Sequence, residues 1–154
     1  NSPYLIINTQ ANSGNRGFHT ISKYSSADYI SLNGLEVELE ARDRELSLEE
    51  QLEIITKHID CPRMTVTLGR QGSLHYSRDE GISKAPALAM RVVDRVGAGD
   101  AVLAVTGLLS AVNTPTDVIG LVTNIVGAKM VDTVGNKTVV ERSWLDRHIK
   151  SILE

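Results

Sequence analysis

The chain has 154 residues, of which 42% are hydrophobic and 23% are charged, and this composition excludes an intrinsically disordered protein. The formal net charge is −3, so the surface is weakly acidic and we expect no nucleic-acid partner. No apolar run reaches the roughly 18 residues of a membrane span, and the single cysteine, Cys61, cannot form an internal disulfide. We therefore expect a cytoplasmic protein with no membrane partner. The opening Asn-Ser-Pro without Met leads us to expect a piece of something longer.

Short apolar runs alternate with helical stretches along the chain, and this alternation is typical of an α/β fold with a mostly parallel sheet. The first predicted strand covers residues 4–7, and a loop rich in amides and glycines follows at residues 8–17. The second predicted strand covers residues 28–32. Asn8 and Asn33 therefore each follow a strand directly.

Residues 35–40 alternate three apolar residues with three glutamates, which by period alone fits a strand. We favour a helix, because glutamate is a strong helix former and Glu36 and Glu40 can share a solvated face. Residues 47–50 have the form of a capping box, and the helix that they begin carries apolar residues at helical spacing until Pro62 closes it.

The middle of the chain is predicted to hold a strand at residues 64–68, a tight turn at residues 69–72 and an extended segment at residues 73–76. Residues 78–86 are polar, and we predict another turn there. Residues 88–94 are predicted to form a strand.

Three helices are predicted in the last third of the chain. The first begins at Gly97–Asp100 and runs to about Ala111, and it is apolar almost all round, so we expect it to be buried. The second begins at residues 114–117, with a proline at the first helical position, and runs to about Val131. The third covers residues 143–153. There is no internal repeat and no linker, which predicts one compact unit.

Standard ligand signatures are absent from the sequence. It contains neither the P-loop pattern G-x-x-x-x-G-K-[ST] nor a G-x-G-x-x-G after a strand. His58 and Cys61 are two potential zinc ligands where a site needs three or four, so we interpret the pair as a helix end.

The segment Val93–Ala101 is the strongest candidate for chemistry. A predicted strand ends in an acid, a turn of small residues follows, and a helix begins with a second acid. The first backbone N–H groups of that helix have no intrahelical partner, and glycines allow an anion to approach them. Asp100, beside such an anion hole, can accept a proton from a substrate hydroxyl during phosphoryl transfer. The alternative is a plain turn followed by a helix-stabilising acid.

Three motifs in order resemble the ribokinase-like (PfkB-type) carbohydrate kinase family. Asp94–Asp100 is similar to the family's D-T-x-G-A-G-D, Asn33–Glu36 to its N-x-x-E, and Thr67–Gly72 to its T-x-G-x-x-G. The amide-rich segment 8–23 most resembles the kinase half of heptose-phosphate kinase/nucleotidyltransferase proteins. The resemblance implies a three-layer α/β fold, of which residues 1–154 form a single partial domain, the C-terminal nucleotide-binding part.

The resemblance also implies roles for the residues of the glycine turn and the first asparagine motif. Asp100 would be the catalytic base, and the backbone of Gly97, Ala98 and Gly99 would hold the transferring phosphoryl group of ATP. Asn33 and Glu36 would act near Mg²⁺ and the phosphates. The alternative for these two is a helix cap in which each side chain bonds the other's backbone.

Four further residues would contact the nucleotide if the resemblance holds. Thr67, Gly69 and Gly72 would lie along its phosphates, and Asn124 would face its base. The two glycines can instead serve the backbone geometry of a hairpin turn, and Asn124 can be a buried helix residue bonded to a neighbouring backbone group.

A monovalent cation such as K⁺ is a further implied ligand, held by Asp94, the carbonyl of Val96 and carbonyls near Gly135. Two positions depart from the family pattern: Arg95 stands where Thr is usual, and Val102 where Phe is common.

The expected function is ATP-dependent phosphorylation of a hydroxyl on a sugar or sugar phosphate by a longer parent protein. We expect the isolated fragment to be inactive, because the half of the domain that supplies the sugar contacts is missing, and to self-associate through the face this leaves open. The alternatives are a non-catalytic nucleotide-sensing or assembly module, motivated by the two departures, and an unrelated α/β domain.

Overall fold

The computed structural model describes residues 3–11, 14, 17–88, 93–94, 96–132 and 139–154. Within these residues one sheet has the strand order β1-β2-β3-β4-β5. Its strands are β1 (Ile6–Ile7), β2 (Tyr29–Asn33), β3 (Arg63–Thr67), β4 (Ser73–Ser77) and β5 (Gly81–Ala85). The helices of the described residues are α1 (Gly34–Ala41), α2 (Leu48–His58), α3 (Ala98–Ala111), α4 (Thr116–Val131) and α5 (Arg142–Leu153).

The sheet is mixed across its described strands. β1 pairs with β2 and β2 with β3 in parallel, while β3 with β4 and β4 with β5 are antiparallel. The antiparallel pairs follow from short connections, since a turn of a few residues can join only antiparallel neighbours. The prediction of a turn across residues 78–86 is therefore wrong for residues 81–85, which form the edge strand β5.

Alternation along the strands divides the sheet into two chemically different faces. The side chains of Ile30, Leu32, Met64, Val66 and Leu74 lie on one face and form a core with α1 and α2. The intervening residues point to the other face, towards α3 and α4. We call this set the polar face: Tyr29, Thr65, Ser73 and His75, together with Asn124 of α4, which bonds to it. The predicted arrangement of helices on both sides of a sheet is confirmed.

Two capping boxes form: the one predicted at residues 47–50, and the Asn33–Glu36 cap that was the alternative to a role near the metal. Asn33 Oδ1 accepts from the Glu36 N–H, and the Glu36 carboxylate accepts from the Asn33 N–H. Ser47 and Glu50 make the same exchange at the start of α2. The helical interpretation of residues 35–40 is confirmed, since these residues lie in α1. The reciprocal cap gives partners to backbone N–H groups that the first turn of a helix otherwise leaves unpaired.

Helix α3 is less buried than its composition predicts. Val102 is 2% exposed and packs with residues of α4 and α5, whereas Leu108 is 69% exposed. Just past the helix, Val112 is 73% exposed. The expectation of a buried helix is therefore wrong for its outer face, since an apolar sequence does not specify how many neighbours a helix has.

The connection into α3 is partly described. Of the predicted strand 88–94, residues 89–92 lie outside the described residues, and Val93 and Asp94 are not in a strand. The N–H groups of Val93 and Asp94 donate to the carbonyl of Val131 at 2.6 and 3.2 Å, which ties this segment to the end of α4. Pro115 precedes α4 as its N-cap and is not its first residue. No helix among the described residues has the length and apolarity needed to cross a bilayer.

Candidate active site

The carboxyl ends of three neighbouring strands carry polar side chains. Asn33 and Thr67 are register partners at the ends of β2 and β3, and Asn8 follows β1. The Asn8 side-chain amide donates to the Ser31 carbonyl at 2.9 Å, and the Thr67 hydroxyl donates to the Leu32 carbonyl at 3.4 Å. Ligands of α/β sheets bind outside the carboxyl ends of parallel strands, so this edge is the place to look for a site.

Helix α3 begins at this same edge because it runs antiparallel to β1. The Tyr4 hydroxyl lies 2.8 Å from the Ser110 hydroxyl near the helix end, and Gly107 packs against Ile6. A Cβ at Gly107 would come within 3.2 Å of Ile6 Cγ2, so a larger residue there would push the helix off the strand. The positive end of the α3 dipole therefore faces the strand ends.

The residues of the predicted anion hole lie at the start of α3. Gly97 is the N-cap of α3 with φ of 78°, and as a glycine it provides no side-chain cap. A Cβ placed on Gly99 would meet no atom within 4 Å, and the side chain of Asp100 in the first turn is exposed. Gly99 and Asp100 are therefore both accessible at a helix start, where backbone N–H groups favour an anion.

Glu36 lies at the same edge in a more buried position. Its residue is 9% exposed, and its carboxylate accepts the N–H groups of Asn33 at 2.8 Å and Ala11 at 3.3 Å. Burial raises the pKa of the Glu36 carboxyl, and the two backbone donors oppose that rise. The pair Asn33–Glu36 thus forms the helix cap that was the alternative to a role near the metal.

The residues at this edge fit Mg²⁺ only through water or through the nucleotide. No group of three or more His, Cys, Asp or Glu that could hold a metal occurs in the described part of the chain. Each Glu36 oxygen already accepts one N–H and keeps one lone-pair site. Mg²⁺ retains several waters and commonly uses one or two carboxylates plus phosphates, which Glu36 can satisfy without a preformed cage.

The two glycines of the third motif have different surroundings. Gly69 has φ of 59° and open space where a Cβ would stand. Gly72 has φ of 89°, and a Cβ there would overlap the Ala85 carbonyl oxygen and lie 2.8 Å from the Ala87 nitrogen. Gly69 is therefore accessible to a ligand, whereas Gly72 is required for the close crossing of two segments of the chain. We use the term rim for the accessible edge formed by Asn33, Glu36, Thr67, Gly69 and the turn 97–100.

Asn124 lies behind the rim and is 8% exposed. Its Nδ2 donates to the Ser73 hydroxyl at 2.9 Å, the Gly120 carbonyl at 3.0 Å and the Ala85 carbonyl at 3.3 Å. The two hydrogens of this nitrogen are shared among three acceptors inside the protein, so Nδ2 has no donor left for a nucleotide base. The geometry favours the alternative interpretation, a buried helix residue satisfied by its neighbours.

His75 connects this amide to the rest of the polar face. Its Nε2 is 2.7 Å from Ser73 Oγ and its Nδ1 is 2.8 Å from Thr65 Oγ1, which also accepts the Tyr29 hydroxyl at 2.6 Å. Burial lowers the pKa of His75 to about 4, so the ring is neutral at pH 7, and raises the pKa of Tyr29 to about 12. This network fixes α4 against the sheet.

The proposed cation site is only partly described. The Asp94 carboxylate accepts the Val96 N–H at 3.1 Å, and Asp94 adjoins the end of α4 through its own N–H. Gly135 and Arg95 lie outside the described residues. Val102, the other departure from the family pattern, is a core residue of α3 and not part of the rim.

Gln10 is a rim neighbour that the motifs did not indicate. Its side-chain amide donates to Asp100 Oδ1 at 3.3 Å. No spacing rule connects residues 90 positions apart, and only its place in a loop directly after a strand pointed towards the site.

Comparison with known proteins decides the family. A profile of the pfkB family carbohydrate kinases matches residues 8–135, most of the chain. The chain belongs to this family. Membership confirms the predicted resemblance and excludes an unrelated α/β domain with coincidental glycines.

Curated relatives of this family member include two bifunctional HldE proteins. The HldE of Geobacter metallireducens is 33% identical over 123 residues, which are 77% of this chain and 25% of that protein. The HldE of Koribacter versatilis is 32% identical over 128 residues, 81% of this chain and 26% of that protein. The chain thus spans about a quarter of the length of the curated relatives it matches.

Two kinases are among the solved structures of similar fold. The ribokinase of Arabidopsis thaliana complexed with ribose and ATP superposes with a TM-score of 0.69 at 20% identity, covering 80% of this chain and 41% of that one. Phosphofructokinase-2 from Escherichia coli in complex with potassium gives 0.71 at 16% identity, covering 84% and 42%. These likenesses confirm the ribokinase-like α/β fold.

Proposed function

We propose that this chain is the C-terminal, nucleotide-binding part of a kinase that transfers the terminal phosphoryl group of ATP to a hydroxyl of a sugar or sugar phosphate. The observation that carries the proposal is the start of α3, where the N-cap is a glycine and Asp100 is exposed in the first turn, beside the strand ends. Family membership supports carbohydrate kinase chemistry in general.

In the proposed reaction Asp100 acts as the general base. A carboxylate oxygen takes the proton of the substrate hydroxyl while the hydroxyl oxygen bonds to the terminal phosphorus and the bond to the bridging oxygen of ADP breaks. The N–H groups of Ala98, Gly99 and Asp100 donate to the phosphoryl oxygens, on which negative charge is concentrated in the transition state. The open space at Gly99 admits the phosphoryl group to these donors.

The remaining rim residues are proposed to hold the nucleotide phosphates. Thr67 ends β3 opposite Asn33, which ends the neighbouring strand β2. Gly69 lies in the turn after β3 and borders open space. Mg²⁺, when bound, would neutralise phosphate charge, with Glu36 reaching its water shell. Asp94 remains the proposed ligand of a monovalent cation, while Gly72 and Asn124 would support the site from behind.

We expect the 154-residue chain by itself to bind nucleotide weakly and to show little or no sugar-dependent turnover. Phosphoryl transfer depends on a closed, positioned site, and the chain covers about two fifths of the solved kinases that share its fold. The exposed side chains of Leu108 in α3 and Val112 just past it support the expectation of self-association, which light scattering tests.

The decisive experiment compares two first-turn aspartates in the full-length parent enzyme. Asp100→Asn is expected to lower sugar-dependent ATP turnover by about 10²–10⁴-fold, the usual contribution of a general base. Asp117→Asn, at an exposed residue in the first turn of α4, is the matched control and should leave turnover unchanged. Calorimetry of both variants with ATP and Mg²⁺ should show near-equal affinities. If Asp100→Asn stays within a few-fold of the parent while ATP still binds, the nucleotide-sensing module is the better assignment.

A further inference from the structure

The loop that follows β1 spans the rim from Glu36 to Asp100. Asn8 is fixed by its bond to the Ser31 carbonyl, Thr9 is 3% exposed, and the Ala11 N–H donates to Glu36 Oε1. Gln10 lies between these anchors with an exposed side chain. Because its neighbours on both sides are held, the Gln10 side chain is presented in one direction, towards the start of α3.

The contact between Gln10 and Asp100 can position the carboxylate and still leave one of its oxygens able to accept a proton. The Gln10 amide is a neutral donor, and it bonds only one of the two carboxylate oxygens, Oδ1, at 3.3 Å. An ionised carboxylate has two oxygens and about four lone-pair sites, so Oδ2 can still accept a hydroxyl proton. A lysine at this position would add a positive charge, whereas glutamine restrains Asp100 without one.

We propose that Gln10 is a positioning residue for Asp100: its amide holds the carboxylate in the orientation in which the other oxygen faces the substrate hydroxyl. The proposal rests on the proposed function, because it assumes that Asp100 is the base. The Ala11–Glu36 bond would contribute to this positioning, because it fixes the backbone next to Gln10 while the Gln10 side chain extends to Asp100.

The test is a double-mutant cycle in the full-length parent enzyme. Gln10→Ala is expected to lower kcat about ten-fold and to change the KM for ATP less than two-fold, because Gln10 contacts the base and not the nucleotide. In an Asp100→Asn background, Gln10→Ala should have no further effect on kcat. A residue needed only for folding would lower kcat equally in both backgrounds.

Two variants of Gln10 sharpen the test through geometry. Gln10→Asn keeps the amide but is one methylene shorter, so it should not bridge to Asp100 and should behave like Gln10→Ala. Gln10→Glu keeps the length but places a second carboxylate against Asp100, and it should lower kcat further than Gln10→Ala. Thermal unfolding of each variant should stay within a few degrees of the parent.

A readout independent of activity uses the 154-residue chain. The Gln10 side-chain amide resonance in ¹H–¹⁵N spectra should move in Asp100→Asn and stay in place in Asp117→Asn. An unmoved resonance, or a Gln10→Ala enzyme with full kcat, overturns the proposal while leaving Asp100 as the base. Full turnover by Asp100→Asn instead overturns the proposed function.

Discussion

The rim and the polar face are built from the same kinds of residue and differ in what surrounds them. Both contain an asparagine, a glycine at positive φ nearby and a titratable side chain. At the rim, Asp100 is exposed and Gly99 borders open space. On the polar face, His75 is 1% exposed and Asn124 has its amide nitrogen bonded to three acceptors.

The difference teaches that a motif residue can serve the site without touching a ligand. Gly72 and Gly69 belong to the same motif. The backbone of residues 85–87 covers Gly72, whereas Gly69 borders open space. Asn124 and Gly72 converge on one atom, the Ala85 carbonyl oxygen. We infer that the polar face acts as the rigid support for the rim, so substitutions in the two regions should separate stability from binding.

The largest expected loss of stability is for Gly72→Ala. The new Cβ would overlap the Ala85 carbonyl, and the residue would be held at φ of 89°, so the backbone itself must shift. We expect a loss of about 3 kcal/mol or more in the free energy of unfolding, measured by urea denaturation.

Gly69→Ala is the comparison variant for Gly72→Ala, whose backbone at φ 89° and ψ −130° is the more strained of the two for alanine. It also places alanine at a positive φ, of 59°, but in open space, so the expected cost is only the backbone strain of about 1–2 kcal/mol. Equal losses for the two variants would show that strain alone accounts for Gly72, and that the crossing of the two segments is not close in solution.

The second largest effect is the pH dependence that His75 gives to stability. Burial lowers its pKa from 6.5 to about 4 in the folded chain, so between these values the unfolded chain binds a proton that the folded chain does not. Stability from this group is therefore complete above pH 6.5 and falls as the pH drops towards 4. The total is about 3 kcal/mol, with a slope of up to about 1.4 kcal/mol per pH unit.

The measurement compares chemical denaturation from pH 7 to pH 4 in the parent chain and two variants. His75→Gln removes the titrating group, so it should reduce the fall in unfolding free energy between pH 7 and pH 4 by about 3 kcal/mol. His58→Gln, at an exposed position at the end of α2, is the control for the loss of a histidine elsewhere in the chain. A His75→Gln curve parallel to that of the parent would mean that the imidazole is protonated inside the fold.

Much of the fold could be predicted from local pattern. The capping boxes at Asn33 and Ser47 fixed two helix starts, because a cap uses only residues three apart. Strand β5 was missed because Gly81–Ala85 is polar and mostly exposed, and it is extended only through its pairing with β4. Local propensity carries no information about such a partner.

The candidate site was predictable where its residues are close in sequence. The turn 97–100 could be identified because glycines and a first-turn acid are adjacent. Gln10 could not, since its contact with Asp100 depends on α3 lying antiparallel to β1. Sequence also could not distinguish Gly72 from Gly69, because which chain segment crosses a glycine is decided by tertiary packing.

A smaller effect on stability is expected for Asn124→Ala. The change removes the Nδ2 donor from the Ala85 carbonyl and the Ser73 hydroxyl, which should cost about 1–3 kcal/mol of unfolding free energy. Ser73→Ala should cost a similar amount, and the double variant less than the sum, because the two residues share one bond. Calorimetry on the folded protein should show ATP affinity within about three-fold of the parent. A large loss of affinity without a loss of stability would instead place Asn124 at the nucleotide base.

The smallest change in stability, with the opposite sign, is expected for Gly99→Ala. The position is helical and a Cβ meets nothing within 4 Å, so alanine should stabilise the chain by about 0.4–1 kcal/mol. Gly127→Ala in the middle of α4 has the same open surroundings and should give the same gain. Only Gly99→Ala should weaken ATP binding, because its methyl group occupies the approach to the α3 N–H donors. If both variants bind ATP like the parent chain, the phosphate does not contact the start of α3. The proposal that the rim binds ligand while the polar face only supports it would then be wrong.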